Sequence, residues 1–473
     1  MMKKVHVHFI GIGGIGMSAI AEVLLTFGHQ VSGSDQVAGP NTDRLKKLGA
    51  TIFIGHHHGQ IPAETSTVVY SSAIKEDNPE ILEARERHLP VLRRAEILAE
   101  IMRLKATLTV AGTHGKTTTS GALATILEVG GQDPTYIIGG IVNNLGRHAK
   151  VGHGDYLVAE ADESDGSFLL LNPIASIITN VDRDHLDHYH TEENLHEAFL
   201  AFAQRVPFFG VCVLNGHDEV LVNLREQVKR PCIYFGIEGE ALTKLDYAAF
   251  NICDTPTGVC FNVLHDGKDQ GVVSTKLYGR HNVLNILSAM ALAHHLGLAW
   301  PAILKGVAQF TGMGRRLEVI KQAPHLLIID DYAHHPTAVQ MVLKTLRERY
   351  SQAKLQVIFE PHRYTRTQDC WPQFLHSFNY ADELFLLPIY AASEKPIEGI
   401  STELLVQDIN KAHPAKCAYL ADYAALHDLI KNDLTSTLAQ DAGGPKAKQD
   451  LVVAILGAGS IGRKVREILA ENF

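Results

Sequence analysis

The 473-residue sequence predicts an α/β protein of three domains, 1–105, 106–315 and 316–473. Three observations carry that expectation. Apolar, β-branched runs recur ahead of helical stretches, the order that builds mostly parallel sheets. A G-x-G-x-x-G motif follows the first such run, at Gly11–Gly16, and another follows the last, at Gly457–Gly462. Between them Val110–Thr119 (VAGTHGKTTT) joins an apolar strand to a helical segment, the setting of a phosphate-binding loop. The outer domains are therefore expected to be Rossmann-like and the central one to be P-loop ATPase-like.

Val5–Ile10 is the first strand, the glycine loop follows, and Met17–Thr26 is a helix. Gln30–Ser34 is the second strand and ends at Asp35, an acidic residue 24 positions after Gly11. That spacing fits a dinucleotide-type βαβ unit, in which Gly11, Gly13, Gly14 and Gly16 bring backbone close to a pyrophosphate. The same glycines would also let a helix pack tightly on a strand, so nucleotide binding and plain packing both stay open. Thr51–Ile54 and Thr67–Tyr70 are further strands, the second running into Ser71 and Ser72; Arg93–Lys105 is a charged helical link. His56-His57-His58 has no companion ligands in the sequence and reads as a solvated loop in preference to a metal site.

In the central domain Ala106–Val110 is a strand and Ser120–Val129 a helix, with Leu123, Ile126 and Leu127 on one side. Backbone N–H groups and the positive helix end between them make an anion site. Lys116 supplies a cation for terminal phosphates, and the Thr117 hydroxyl a ligand for Mg²⁺. The loop is short: the common pattern would place its first glycine at position 110, where this chain has valine. Tyr156–Ala159 ends in Glu160-Ala161-Asp162-Glu163-Ser164-Asp165, and Ala175–Thr179 ends in Asn180-Val181-Asp182-Arg183-Asp184-His185-Leu186-Asp187. Parallel sheets bind ligands beyond the carboxyl ends of their strands, so a lysine loop, a carboxylate cluster and an Asp/His cluster converge on one crevice. Each alone also reads as a solvated loop; three in one sheet favour a site. Mg²⁺ prefers oxygen ligands and retains waters, which makes the histidine an unusual partner. Residues 207–275 alternate short strands with turns and are expected to finish the sheet and add an outer layer. Tyr278–Asn285 opens a helix to Leu296, where Asn282 either caps the helix or reads the polar edge of an adenine.

In the third domain Leu326–Asp331 is a strand, followed by Tyr332-Ala333-His334-His335-Pro336 and a helix, Thr337–Arg349. Leu355–Phe359 is a strand ending in Glu360-Pro361-His362-Arg363-Tyr364-Thr365-Arg366, and Glu383–Leu387 is another. Thr435–Gln449 reads as a mobile surface loop. Leu451–Leu456 leads into the second glycine motif, after which no acidic residue stands at the expected distance; this copy reads as structural or as a cleft lining.

Bulk properties narrow the function. A net charge of −9 carries no basic nucleic-acid footprint, and no run of about 20 apolar residues suggests a membrane span. The basic, then apolar start runs into a glycine loop without a cleavage pattern and reads as a strand. Six cysteines, at 212, 232, 253, 260, 370 and 417, include no Cys-x-x-Cys pair and read as free thiols of a reducing cytoplasm.

Gly112-Thr113-His114-Gly115-Lys116-Thr117-Thr118-Thr119, Thr179-Asn180 with Asp184-His185 and Asp187, Gly279-Arg280-His281-Asn282, Arg315-Arg316 and Asp330–Pro336 together resemble the Mur ligase family, over essentially the whole chain. Its members are ATP-dependent amide-forming enzymes of bacterial cell-wall precursor synthesis, and the short loop is the family's own form. Gly11–Ser18, Glu160–Phe168 and Pro361–Thr367 resemble its alanine-adding branch; the recycling ligase that attaches a tripeptide to the same sugar nucleotide is the alternative. Leu317 and Ala333 stand where that branch often has phenylalanine and glycine. Thr191–Val206 lacks the lysine that later ligases of the family carbamoylate.

The resemblance implies small-molecule partners, UDP-N-acetylmuramate, L-alanine and ATP with Mg²⁺, in a cytoplasmic monomer or weak homodimer without nucleic acid or membrane. The muramoyl carboxylate would be activated as an acyl phosphate and attacked by the amine of alanine. By resemblance, Gly112, Thr113, His114, Gly115, Lys116, Thr117 and Thr118 hold ATP, His281, Asn282 and Asn285 face its adenine, and Asp331 its ribose. Thr117, Glu160 and His185 hold metal, and Arg316 meets the phosphates when the C-terminal domain closes. Lys116, His185, Glu160 and Arg316 are the catalytic set. Gly11, Gly13, Gly14, Gly16, Met17, Asp35, Ser71, Ser72 and Ser164 bind the sugar nucleotide, while His335, Arg363 and Arg366 meet the acceptor or the amino acid. A nicotinamide-dependent oxidoreductase, which would use both glycine motifs, and a non-catalytic nucleotide sensor are the rival classes.

Overall fold

The computed structural model describes residues 4–472 apart from 72, 256, 393, 413–416 and 441–449, and the side chains of all of these but 187, 433–440 and 472. The chain divides into two compact units, 1–313 and 314–473. Three sheets, two in the first unit and one in the second, organise them.

The first sheet has five parallel strands in the order Thr51–Ile54, Gln30–Asp35, His6–Ile10, Thr67–Tyr70, Val91–Arg93. Its central strand is buried throughout, as expected of a parallel strand covered on both faces. The helix after the glycine loop, Ile15–Thr26, packs against two strands of the second sheet, Thr135–Val142 and Arg147–Lys150, so one apolar core runs through both sheets. Helices at Pro40–Lys47 and Pro79–Glu86 cover the sheet; Gly39 and Asn78 precede a proline at their first turn, a start signal that the strand pattern alone did not bring out.

The second sheet has ten strands, and six of its nine neighbouring pairs are parallel. Ala106–Ala111 lies inside it, between Ala175–Ile178 and Tyr156–Glu160. The expected outer layer is absent. Tyr247–Thr255 extends the same sheet in parallel, and Gly258–His265 and Lys268–Thr275 continue it by antiparallel pairing, because short hairpins need no crossover helix.

The third sheet orders its strands Glu318–Ala323, Leu326–Asp331, Leu451–Leu456, Lys354–Phe359, Glu383–Leu386, Cys417–Tyr419, all parallel but the first pair. The last long strand thus inserts between two earlier ones, and apolar clusters cover both faces. The surface loop expected at Thr435–Gln449 is corrected in part: the helix Tyr423–Gln440 continues through its first six residues, and 441–449 lie outside the described residues. Among the described residues no helix is long and apolar enough to cross a membrane.

Candidate active site

Gly112 and Gly115 adopt φ of +126° and +86°, conformations that side chains resist. A Cβ at Gly112 would collide with Thr179, and one at Gly115 with Asn285. The turn they shape ends in a helix that starts at Lys116, four residues before the expected Ser120. Gly115 has no side chain to cap that helix, and the N–H groups of Gly115, Lys116, Thr117 and Thr118 have no partner among the described residues. Four unpaired donors at a positive helix end form an anion cradle. The loop is held from the neighbouring strand end: His114 N–H donates to Asn180 Oδ1 at 2.8 Å, Thr113 N–H to the Asn180 carbonyl at 3.1 Å, and Thr179 Oγ1 to the His114 carbonyl at 2.6 Å.

Two carboxylates from the adjacent strand face this cradle. Glu160 accepts from Gly139 N–H at 2.7 Å and from Thr117 Oγ1 at 3.2 Å. Glu163, to which the sequence motifs assign no role, grips Lys116: Nζ lies 2.8 and 2.7 Å from its two oxygens and 2.7 Å from the Gly112 carbonyl. His185, left-handed at φ +57°, places Nε2 3.7 Å from Glu163. Burial would raise the Asp162 carboxyl, yet Lys116, Arg94 and the Ser164 N–H hold it below the ordinary value. Glu160, Glu163, Lys116, Thr117 and His185 therefore share one site, as the three converging strands predicted.

Three family models match the chain in sequence: Mur ligase family, catalytic domain (residues 6–106), Mur ligase middle domain (110–293) and Mur ligase, glutamate ligase domain (315–459). A UDP-N-acetylmuramate–L-alanine ligase of Solidesulfovibrio magneticus is 45% identical over 98% of this chain and 97% of its own. The chain belongs to the Mur ligase family. Another ligase of that name, from Desulfotalea psychrophila, is 42% identical over 99% of both chains. The crystal structure of a UDP-N-acetylmuramate–alanine ligase from Thermotoga maritima superposes with a TM-score of 0.81, at 27% identity over 99% of each chain. A murein peptide ligase of Psychrobacter arcticus shares the fold at 24% identity and a TM-score of 0.73.

At the first glycine loop of this Mur ligase, the N–H groups of Ile15, Gly16 and Met17 have no partner among the described residues, which preserves a second cradle. The Met17 side chain is 1% exposed and packs in the core, which leaves only its backbone N–H for a ligand to reach. Asp35 turns to the loop and accepts from Gly13 N–H at 2.8 Å. Ser71 adjoins Gly11, Gly14 is exposed, and Ser72 lies outside the described residues. Arg94, read as part of a link, lies against Gly16 and 3.3 Å from Asp162, tying the first glycine loop to the acidic loop. His56 is not solvated: it bonds Ser34 and Glu80, and His8 holds the other Glu80 oxygen at 2.8 Å.

The capping role weighed for Asn282 is not what the structure contains. Its amide donates to the Tyr278 carbonyl at 2.8 Å and accepts from Asn285, which itself props the phosphate loop at Gly115. His281 is kept neutral, its pKa pushed down to about 4 by burial.

In the C-terminal unit, Arg315 is consumed internally by the Gly457 and Gly459 carbonyls, whereas Arg316 is exposed and stacks 5.3 Å over Tyr332. Asp331 is buried, and its oxygens accept from Leu317 and Ala333 N–H groups at 2.7 Å each, so it braces the turn that carries Arg316. His335 starts a helix beside Cys370; Arg366 lies 3.3 Å from His362, and Arg363 is exposed. Burial and the Arg366 charge push His334 down to about 3 and His362 to about 4, leaving both neutral beside these arginines. The second glycine motif is filled by protein: Glu360 accepts from Ile461 N–H and Tyr423, and a Cβ at Gly459 would strike Glu360. A carboxylate thus occupies the helix end where a dinucleotide would put its phosphates, which supports the structural reading of that motif.

Proposed function

We infer that this Mur ligase joins L-alanine to the carboxylate of UDP-N-acetylmuramate at the expense of ATP, in peptidoglycan precursor synthesis. The observation that carries the reading is the bare amide turn Gly115–Thr118 with Lys116 at its mouth and the Thr117–Glu160 pair beside it. Lys116 and the four N–H groups grip ATP phosphates. A hydroxyl and a carboxylate oxygen 3.2 Å apart suit a hard cation, so Thr117 and Glu160, with His185, are the residues for Mg²⁺. Bound there, Mg²⁺ would neutralise phosphate charge.

Amide formation from a carboxylate needs a better leaving group than hydroxide, which the γ-phosphoryl of ATP supplies as an acyl phosphate. The chain's own part is placement and charge: donors fixed before the reaction stabilise the phosphoryl group in transit. The partition at 105/106 and 315/316 belongs to the same reading. The first domain's N–H groups at Ile15–Met17 hold the diphosphate of the sugar nucleotide, and the last domain contributes Asp331 to the ribose and Arg316 to phosphate. His335, Arg363 and Arg366 receive the amino acid or the acceptor.

Phosphate release with ATP, Mg²⁺ and UDP-N-acetylmuramate tests the reading. L-alanine is expected to give a higher kcat/KM than glycine, L-serine or the tripeptide. Preference for the tripeptide would instead identify the recycling reaction.

A further inference from the structure

Cys212 and Cys232 share no Cys-x-x-Cys spacing, but folding sets them opposite each other on neighbouring parallel strands. Such partners lie about 4.8 Å apart with side chains on the same face, within the Cα separations a disulfide spans. Both are free thiols, and Cys232 Sγ donates to the Arg230 carbonyl at 3.3 Å. The two differ in access. Cys212 is fully buried, its Sγ 3.4 Å from the Ala203 carbonyl. Cys232 lines a cavity of about 370 Å³ with Arg225, Arg230, Lys244, Tyr234 and Asp246. Asp246 is committed to Tyr234 N–H at 2.7 Å, and Arg225 stacks 5.2 Å over Tyr234, so three cations dominate the cavity. The neighbouring Cys212 thiol and the Arg225 charge bring the Cys232 thiol below its ordinary value, while Cys212 is pushed up.

We propose that Cys212 and Cys232 are a redox-active dithiol, oxidised through the basic cavity by an anionic low-molecular-weight disulfide. The Cys232 thiolate attacks one sulfur of the disulfide, forming a mixed disulfide and expelling one thiolate. Cys212 then loses its proton, attacks the Cys232 sulfur and expels the second thiolate. The protein gives up two protons and two electrons, and one disulfide becomes two thiols. Exposure assigns the order: the cavity-facing thiol attacks and the buried one resolves.

The test uses the full-length protein with Cys253 and Cys260 changed to Ser, because these exposed and half-buried thiols are also cross-strand partners. Incubation with oxidised glutathione, followed by peptide mass spectrometry without reductant, should link the Cys212 and Cys232 peptides with loss of two hydrogens, reversed by dithiothreitol. Adding C212S should halt the reaction at one glutathionyl group on Cys232. Adding C232S should slow glutathione incorporation by about tenfold or more. The parent result stands even if a variant fails to fold. No linked peptide in the parent, or a C232S protein that reacts as fast as the parent, overturns the proposal.

Discussion

Lys116→Met separates the two tasks of the phosphate-loop lysine. Glu163 is 1% exposed and both its oxygens rest on the Lys116 ammonium. Removing one partner of a buried pair strands a charge and costs about 3–5 kcal/mol. Glu163→Gln in the same chain removes the stranded charge and preserves shape, so the double variant should regain most of that loss. Turnover should not follow. One lost donor to a group in transit costs about 10²–10³-fold, and the neutral amide introduced by Glu163→Gln cannot replace the lost ammonium. Urea unfolding should therefore separate the single from the double variant, while phosphate release stays low in both. An unchanged midpoint in Lys116→Met would refute the buried pair, and a double variant with more than about a tenth of parental turnover would refute the ATP role.

Thr117→Val keeps the size of the side chain but removes the hydroxyl at Glu160, and should raise the Mg²⁺ concentration for half-maximal activity by about 10-fold or more; His185→Ala should shift the same titration, and an unmoved curve excludes the residue from the metal site. Arg316→Ala should lower kcat by about 10²-fold with little change in unfolding, because the side chain is exposed and stacks on Tyr332; equal kcat in the variant dismisses it. His148, 3% exposed, has its pKa pushed down to about 4 by burial and by Arg44. The unfolded chain takes up that proton near pH 6.5 and the folded chain only near 4, so the contribution is present above pH 6.5 and lost as pH falls. Between about pH 7 and 4.5 the parent should lose about 2 kcal/mol more than His148→Gln, measured by urea unfolding.

The sequence by itself determined what local chemistry dictates. Thr51–Ile54, Thr67–Tyr70, Leu326–Asp331 and Leu451–Leu456 are strands with the bounds expected, because short apolar runs ended by small or polar residues have few other uses. The phosphate loop and the two acidic loops were legible for the same reason: each sits at a strand end, where parallel sheets place ligands. Tertiary structure decided how side chains are spent. Glu163 faces Lys116 where Glu160 faces Thr117; Arg315 faces the Gly457 and Gly459 carbonyls where Arg316 is exposed. Glu360 fills the second glycine loop, and Met17 turns into the core one residue after a loop glycine. Cys212 and Cys232 meet through strand register. Residue type and spacing set what a group can bind, but burial and the nearest partner set what it does bind, and both depend on contacts between residues far apart in the chain.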